Sequence, residues 1–288
     1  MKIFRDSTKY FGIVGNPLSH TLSPLLHTGW YEDLGLDFAY MVFPISSIEK
    51  QDLTVLYKFG IRGLSVTIPH KEQAFRLADK KDVASEAMKA SNTLVLQEGS
   101  ISAHNTDGIG AVRAILEQSP SSLKGRVLVL GSGGSARGIA FSLLEKGNVE
   151  SLVIAARNGD AGNEIVDLLD RVRPGRTSFL SLENAERECA EFSLVVHTTP
   201  LGMKGKEPGP IFSPSSFNPG QTVFDIVYNP LVTPLVKIAR SFGATIIPGT
   251  EMLLYQAVEQ FGLFTGIQLE NELIDKGRQR LRSALHGN

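Results

Sequence analysis

Val127-Leu128-Val129-Leu130 runs straight into Gly131-Ser132-Gly133-Gly134-Ser135-Ala136. An unbroken apolar run of this kind reads as a strand buried on both faces, as in a parallel sheet covered by helices. The glycines fit the pattern G-x-G-x-x-[G/A]. The first permits a tight turn, the second lets the backbone approach a pyrophosphate, and the small Ala136 lets a helix pack on the strand. A helix opening at that turn offers free N–H groups and positive potential to phosphates. The pattern alone is common, but here a buried strand precedes it and a helical pattern follows. The other reading of the same residues is a purely structural strand–helix turn.

Working outward, the helix after the glycines runs to about Lys146. Leu152–Ala155 is the next buried strand, followed by a helix to about Val172, and Leu194–Val196 and Val223–Ile226 continue the series. This is a doubly wound unit over residues 108–248. Its second strand ends in Ala155-Ala156-Arg157-Asn158. NAD enzymes usually place a carboxylate at this point for the ribose 2′-hydroxyl, whereas an arginine favours the 2′-phosphate of NADP. No carboxylate is present before Asp160, and Arg157 stands at the strand end; a solvated surface arginine is the plainer alternative. Gly205–Pro219, rich in glycine and proline, reads as a surface loop.

The N-terminal half also alternates strands and helices. Phe11–Val14, Phe38–Phe43, Leu64–Ile68, Thr93–Val95 and Ile101–His104 are strand candidates, with a turn at Glu98-Gly99. Ser23 as cap, Pro24 in the first turn and Gly35 at the end mark out one helix. Ser46 with Glu49 resembles a capping box for another, ending near Phe59. This half is short of helices to cover its sheet. The last two helices, about 250–265 and 269–285, are expected to return to it, giving a discontinuous domain of residues 1–107 plus 249–288. The predicted fold class is α/β with two domains, the second of them of Rossmann type.

Composition narrows the function. Lys plus Arg number 29 and Asp plus Glu 30, so no electrostatic footprint for nucleic acid or an anionic membrane is present. The one cysteine, Cys189, excludes an internal disulfide and a cysteine-based zinc site. Met1–Phe11 lacks an apolar signal core and no apolar run approaches bilayer length, so a cytoplasmic protein is expected. His20, His70 and His197 have no metal-ligand spacing, and no metal is expected.

Three polar segments lie at or near predicted strand ends, where open α/β sheets bind ligands. They are Gly15–Pro24, Ser65–Lys71 and His104–Gly108, the last preceded by Ala90-Ser91-Asn92-Thr93. Hydroxyls, amides, Lys71 and Asp107 suit a small polyhydroxylated acid, and a lysine–carboxylate pair can deliver the proton that hydride transfer to a ketone requires. Residue by residue the structural readings stay open: Ser23 and Asp107 as helix caps, Thr67 as a strand residue.

Taken in order, GNPLSHTLSP (15–24), SVTIPHK (65–71), ASNT (90–93), NTDGIG (105–110), GSGGSAR (131–137), DIVYNPLVTP (225–234) and GTEMLLYQA (249–257) resemble the shikimate dehydrogenase family over essentially the whole chain. The resemblance implies a substrate domain and an NADP-binding domain with the active site in the cleft between them. It implies hydride transfer from NADPH to the C3 ketone of 3-dehydroshikimate, giving shikimate. By matching motif positions, Lys71 and Asp107 are the expected catalytic pair. Thr21 and Ser23 would hold the substrate carboxylate, and Thr67, Asn92 and Gln256 the ring hydroxyls, with Tyr228 near the carboxylate end. Gly131, Ser132, Gly133, Gly134, Ser135, Ala136, Arg157, Asn158, Thr198 and Gly249 would line the cofactor site. The protein would act on this small molecule as a monomer or homodimer.

Departures from the family pattern are Thr21 for the common serine and Ala156-Arg157-Asn158 for the common Asn-Arg-Thr. Ala161 stands where a second basic residue is frequent, and His197 where asparagine is usual. A quinate or quinate/shikimate dehydrogenase, often using NAD, would share the same pair. A non-catalytic NAD(P)-binding regulator is the alternative of another class; the presence of both Lys71 and Asp107 weighs against it.

Overall fold

The computed structural model describes residues 4–147, 149–206, 212–213 and 216–286. Of the Gly205–Pro219 stretch, residues 207–211 and 214–215 lie outside the described residues, as do residues 1–3 of the N-terminal segment. Two compact units emerge: one contains the chain up to Thr106 and from Gln256 onward, the other is Asp107–Tyr255.

In chain order the first unit holds β1 (Lys9–Gly15), α1 (Ser23–Asp33), β2 (Phe38–Pro44), α2 (Lys50–Lys58) and β3 (Ile61–Val66). It continues with α3 (Lys71–Leu77), β4 (Lys80–Lys81), α4 (Val83–Met88), β5 (Thr93–Gln97) and β6 (Ser100–His104). The second holds α5 (Asp107–Gln118), β7 (Arg126–Leu130), α6 (Gly134–Lys146), β8 (Ser151–Ala155), α7 (Gly159–Asp170) and β9 (Thr177–Leu180). There follow α8 (Leu182–Arg187), β10 (Leu194–His197), β11 (Thr222–Asp225), α9 (Pro234–Ser241) and β12 (Thr245–Pro248). The chain then enters α10 (Gly249–Thr265), which begins in the second unit and ends in the first, and α11 (Asn271–His286).

The first sheet has the order β2-β1-β3-β5-β6-β4. β1 pairs in parallel with β2 and β3, while β5 and β6 form an antiparallel hairpin whose turn uses Gly99 at φ +67. A register shift opposite Tyr10/Phe11 inserts Arg62 as an extra residue in β3. That bulge puts Gly63 and Ser65 on the face opposite Ile61, Leu64 and Val66. The Ile61 face packs with Val14, Ile48 and Leu53 beneath α2. The Gly63 face receives the C-terminal helices. Phe264 of α10 stacks on Phe11 at 5.4 Å, over Gly63, where a Cβ would come within 2.3 Å of its ring.

α11 is tied to α1. The Trp30 indole donates to the Leu273 carbonyl at 2.8 Å, and Arg280 forks onto Asp33 through two 2.8 Å bonds. Those bonds, the larger influence, hold the Asp33 carboxyl below its ordinary value against partial burial.

Some sequence expectations shift locally. Ser23 is the first residue of α1 and does not cap it; Leu22 occupies the cap position with no side-chain bond, while Gly35 ends the helix at φ +63 as expected. The capping box of α2 forms between Glu49 and Asp52, because Glu49 is the extended residue at the helix entry, and Asp52 accepts from its N–H at 2.8 Å. β3 stops at Val66, and the chain turns at Thr67, whose carbonyl accepts from His70 N–H. The short α3, β4 and α4 went unpredicted; α4 starts where Asp82 accepts from Ser85 N–H at 2.7 Å.

The second sheet is entirely parallel, in the order β12-β11-β10-β7-β8-β9. This is the doubly wound arrangement, whose crevice opens where neighbouring strands β7 and β10 lead away in opposite directions. Val127, Leu128, Val129 and Leu130 are all fully buried, as a central strand covered on both faces requires. α5 approaches α6 so closely that a Cβ on Gly108 would lie 2.4 Å from the Gly138 carbonyl oxygen. Among the described residues no helix is long and apolar enough to cross a membrane.

The first core also encloses a histidine. His27 is fully buried, its ring stacked on Tyr40 at 4.5 Å and 5°, and neither ring nitrogen meets a partner in hydrogen-bonding geometry among the described residues. Burial lowers its pKa to about 3, although the nearby Gln260 amide pulls slightly the other way. The unfolded chain therefore takes up a proton near pH 6.5 that the folded state refuses until about pH 3. Stability from this group is complete above pH 6.5 and falls by up to about 1.4 kcal/mol per pH unit below it. His27→Phe, which keeps the stack, should flatten the decline of the denaturation midpoint between pH 6.5 and 4. Parallel pH profiles for wild type and variant would contradict this account.

Candidate active site

Past the ends of its strands, the first sheet continues as single hydrogen bonds. Thr67 N–H donates to Val14 O (3.0 Å), Asn16 N–H to Ile68 O (2.9 Å), Val66 N–H to Asn92 O (2.7 Å) and Asn92 N–H to His104 O (3.1 Å). The three polar segments singled out in the sequence are thereby joined along one edge, as strand register dictates: Ser65 faces Thr93, and Thr93 faces His104. Lys71, the first residue of α3 and partly exposed, belongs to the same edge, since its carbonyl accepts from Ser91 N–H at 2.9 Å. Thr67 and Thr21 are partly exposed; Ser23, Asn92 and Gln256 are buried.

Behind this edge the side chains form one directional network. The Tyr40 hydroxyl donates to Ser65 Oγ (2.6 Å), and Ser65 donates to Gln260 Oε1 (2.7 Å). Gln260 Nε2 donates to Asn92 O (3.1 Å) and Thr93 Oγ1 (3.0 Å), and Thr93 donates to Asn92 Oδ1 (2.8 Å). Asn92 Oδ1 also accepts from Thr106 N–H at 2.9 Å. Asn92 Nδ2 donates to Thr106 Oγ1 at 2.9 Å, and that hydroxyl's single hydrogen has two acceptors in reach, the Gln256 carbonyl at 3.1 Å and Asn92 Oδ1 at 3.2 Å. Asn92 Nδ2 reaches Gln256 Oε1 only at 3.4 Å, longer than the other links named here. A ligand hydroxyl can replace so long a bond at little cost. Burial raises the pKa of the Tyr40 phenol, against which Ser65 and the nearby Ser23, expected at the substrate carboxylate, pull it down.

Tyr40, Ser65, Thr106 and Gln260 were not singled out individually in the sequence. Gln260 had a signal: it lies four residues after Gln256, hence on the same helix face. Tyr40 had none, since one tyrosine in an apolar strand looks like core.

In the second unit, Gly131 has φ +124, and a Cβ there would lie 2.5 Å from Thr198 Oγ1. Gly133 is the N-cap of α6 with no side-chain cap bond, and nothing lies within 4 Å of a Cβ built on Gly133 or Gly134. The space beside the glycines at the start of this thirteen-residue helix is thus clear. That is the cradle a pyrophosphate needs, so the residues present fit a dinucleotide. Ser132 and Ser135 flank the turn partly exposed, and Ala136 is buried against the sheet.

Arg157 is exposed just past the end of β8. The Asn158 side chain caps α7, accepting from Ala161 N–H at 3.2 Å, which leaves its amide hydrogens for a ligand. Thr198 donates to the Leu130 carbonyl at 2.7 Å and holds the start of its loop to β7. Gly249 is required by packing, since a Cβ would lie 2.4 Å from the Ile226 carbonyl oxygen. Asp107, buried, opens α5 in this unit, and Tyr228 is partly exposed beyond β11. His197 is buried with both nitrogens engaged, Nδ1 by Asp225 at 2.9 Å and Nε2 by Thr199 at 2.6 Å.

Residues 13–94 match the family described as the shikimate dehydrogenase substrate binding domain, and residues 249–271 match the shikimate 5'-dehydrogenase C-terminal domain. A relative from Leptospira interrogans (serogroup Icterohaemorrhagiae, serovar Lai), named shikimate dehydrogenase (NADP(+)), is 53% identical over 281 residues, 97% of each chain. Among solved structures, a shikimate dehydrogenase in complex with NADP+ aligns with a TM-score of 0.89 at 28% identity, covering 99% of this chain and 98% of that one. The quinate dehydrogenase from Corynebacterium glutamicum in complex with NAD aligns with a TM-score of 0.88 at 27% identity, covering 96% and 99%. With identity of this extent across nearly its whole length, and with the motif order and both sheets in agreement, the chain belongs to the shikimate dehydrogenase family.

Proposed function

We propose that this protein is an NADP-dependent shikimate dehydrogenase, catalysing the reversible reduction of 3-dehydroshikimate to shikimate in the cytoplasm, as a monomer or homodimer. The observation that carries the reading is the row of strand-end amides and hydroxyls around Asn92, held by its own network and matched to a ring bearing several hydroxyls. Residues 1–107 and 249–288 would form the substrate domain, and 108–248 the cofactor domain. In this reading Thr67, Asn92 and Gln256 receive the ring hydroxyls, Thr21 and Ser23 the carboxylate, and Tyr228 stands near the carboxylate end.

A dinucleotide held by the glycine turn would supply, in its reduced form, the hydride for C3. Lys71 and Asp107 supply the other half of the addition, holding the C3 oxygen and delivering the proton that converts it to a hydroxyl. Gly131–Ala136, Thr198 and Gly249 would line the cofactor site. Arg157 would take the 2′-phosphate through charge-assisted bonds, with Asn158 adding a neutral one.

Lys71→Ala and Asp107→Ala should each lose about 10²–10⁴ in kcat while keeping a native circular dichroism spectrum, and the double variant should lose less than the product. Near-normal turnover in either folded variant would remove that residue from the pair. For the cofactor, hydrogen bonds to a charged group contribute about 1.5–3 kcal/mol, so NADP should exceed NAD by about one to two decades in kcat/KM. Arg157→Ala should close most of that gap by weakening NADP alone. An absorbance assay pairing shikimate and quinate with each cofactor tests the whole reading. Preference for quinate with NAD would assign the chain to the activity named for the Corynebacterium structure.

A further inference from the structure

A buried polar pair at the strand ends of the second unit has no part in the chemistry above. His197 ends β10 and Asp225 ends β11, directly opposite each other in the register, and the two are 1% and 0% exposed. Asp225 has three donors: His197 Nδ1 (2.9 Å) and Val227 N–H (3.0 Å) on Oδ1, and Thr233 Oγ1 (2.5 Å) on Oδ2. Thr233 in turn accepts from Val236 N–H as the cap of α9. A carboxylate only accepts, so Nδ1 of His197 carries the hydrogen. In a neutral imidazole Nε2 keeps a lone pair, to which the Thr199 hydroxyl, 2.6 Å away, can donate. The Thr199 oxygen is left to accept from Leu201 N–H at 3.3 Å. With that tautomer, every hydrogen in the chain of bonds from α9 to Leu201 has one acceptor.

Thr198 and Thr199 begin the loop after β10, on the β7 side of the crevice. A Cβ on Gly131 would lie 2.5 Å from Thr198 Oγ1 and 3.2 Å from Thr199 Cγ2, so this loop and the glycine turn are in direct contact. We propose that Asp225 and His197 are positioning residues for the cofactor wall: they lock the Thr199 rotamer, and with it residues 198–201, in the shape that receives the dinucleotide beside the glycine turn. Ordering this wall before binding removes part of the entropy cost of binding. The proposal rests on reading the second unit as the NADP domain. It also gives a physical role to the histidine that stands where the family commonly has asparagine. Asparagine offers a donor at the position of Nδ1 but nothing at the position of Nε2, so it would keep the link to Asp225 and lose the link to Thr199.

The test uses the whole protein and two readouts. Calorimetric titration with NADP is run first on wild type; absence of binding there would refute the function rather than the relay. Thr199→Val and His197→Asn should each weaken NADP about threefold to tenfold, the range for loss of one neutral hydrogen bond. The double variant should be no weaker than either single one, because both remove the same link. His197→Gln, which restores an acceptor near the Nε2 position, should bind NADP more tightly than His197→Asn. The effect should appear in the KM for NADP, with kcat at saturating cofactor and the KM for shikimate within twofold of wild type. Independently, nitrogen-15 spectra of the ligand-free protein should show His197 as the neutral tautomer with the hydrogen on Nδ1. Additive effects, unchanged NADP affinity in Thr199→Val, or a hydrogen on Nε2 would each overturn the proposal.

Discussion

Three side chains on one face of α10 determine where the first unit's site can lie. Gln256, Gln260 and Phe264 stand on successive turns, and each has a different seat. Phe264 lies in the space left by Gly63, Gln260 binds Ser65, Thr93 and the Asn92 carbonyl, and Gln256 meets Asn92 and Thr106. Buried amides must be paired, so this helix has one register on the sheet. A slide of one turn would press an amide against the bare glycine and leave Ser65 and Asn92 facing a phenyl ring. The strand-end edge inherits its geometry from that constraint.

The second unit fixes its geometry with glycines and the buried acid Asp225. Gly108 and Gly249 are there because backbone or side-chain atoms pass too close for a Cβ, whereas Gly133 and Gly134 face open space. Near-identical glycines thus do opposite jobs: two bring protein elements together and two leave room for something else. Asp225 lies beneath the crevice, and its three hydrogen-bond donors organise the ends of β10 and β11 and the start of α9.

The α/β class and the glycine turn were legible in the sequence because both follow from short-range rules. Val127–Leu130 is uniformly apolar, and Gly131 needs the positive φ that the motif implies. Polar strand-end segments were visible as chemistry out of place in apolar runs. What stayed hidden depended on distant contacts. The true capping box of α2, Glu49 with Asp52, differs from the expected one by a residue choice that only the entry angle of the chain decides. Ser23 reads as a cap, yet it is the first residue of the helix and Leu22 holds the cap position. The bulge at Arg62, on which the placement of Ser65 depends, leaves no mark in composition at all. His197 was conspicuous as a departure from the family pattern, but its meaning required Asp225, twenty-eight positions away.

The route of the chain also bears on its birth at the ribosome. The first sheet is made early, but the helix that covers its Gly63 face lies almost at the end of the sequence, after all of residues 107–255. At about 5–20 residues per second, roughly ten to forty seconds separate the synthesis of β3 from that of Phe264. Throughout that interval Phe11 lacks the Phe264 ring and the Ser65 hydroxyl lacks Gln260, while the second unit can complete its own parallel sheet. The unit that begins first therefore finishes last, and its unfinished face is the part of the newborn protein most in need of a chaperone.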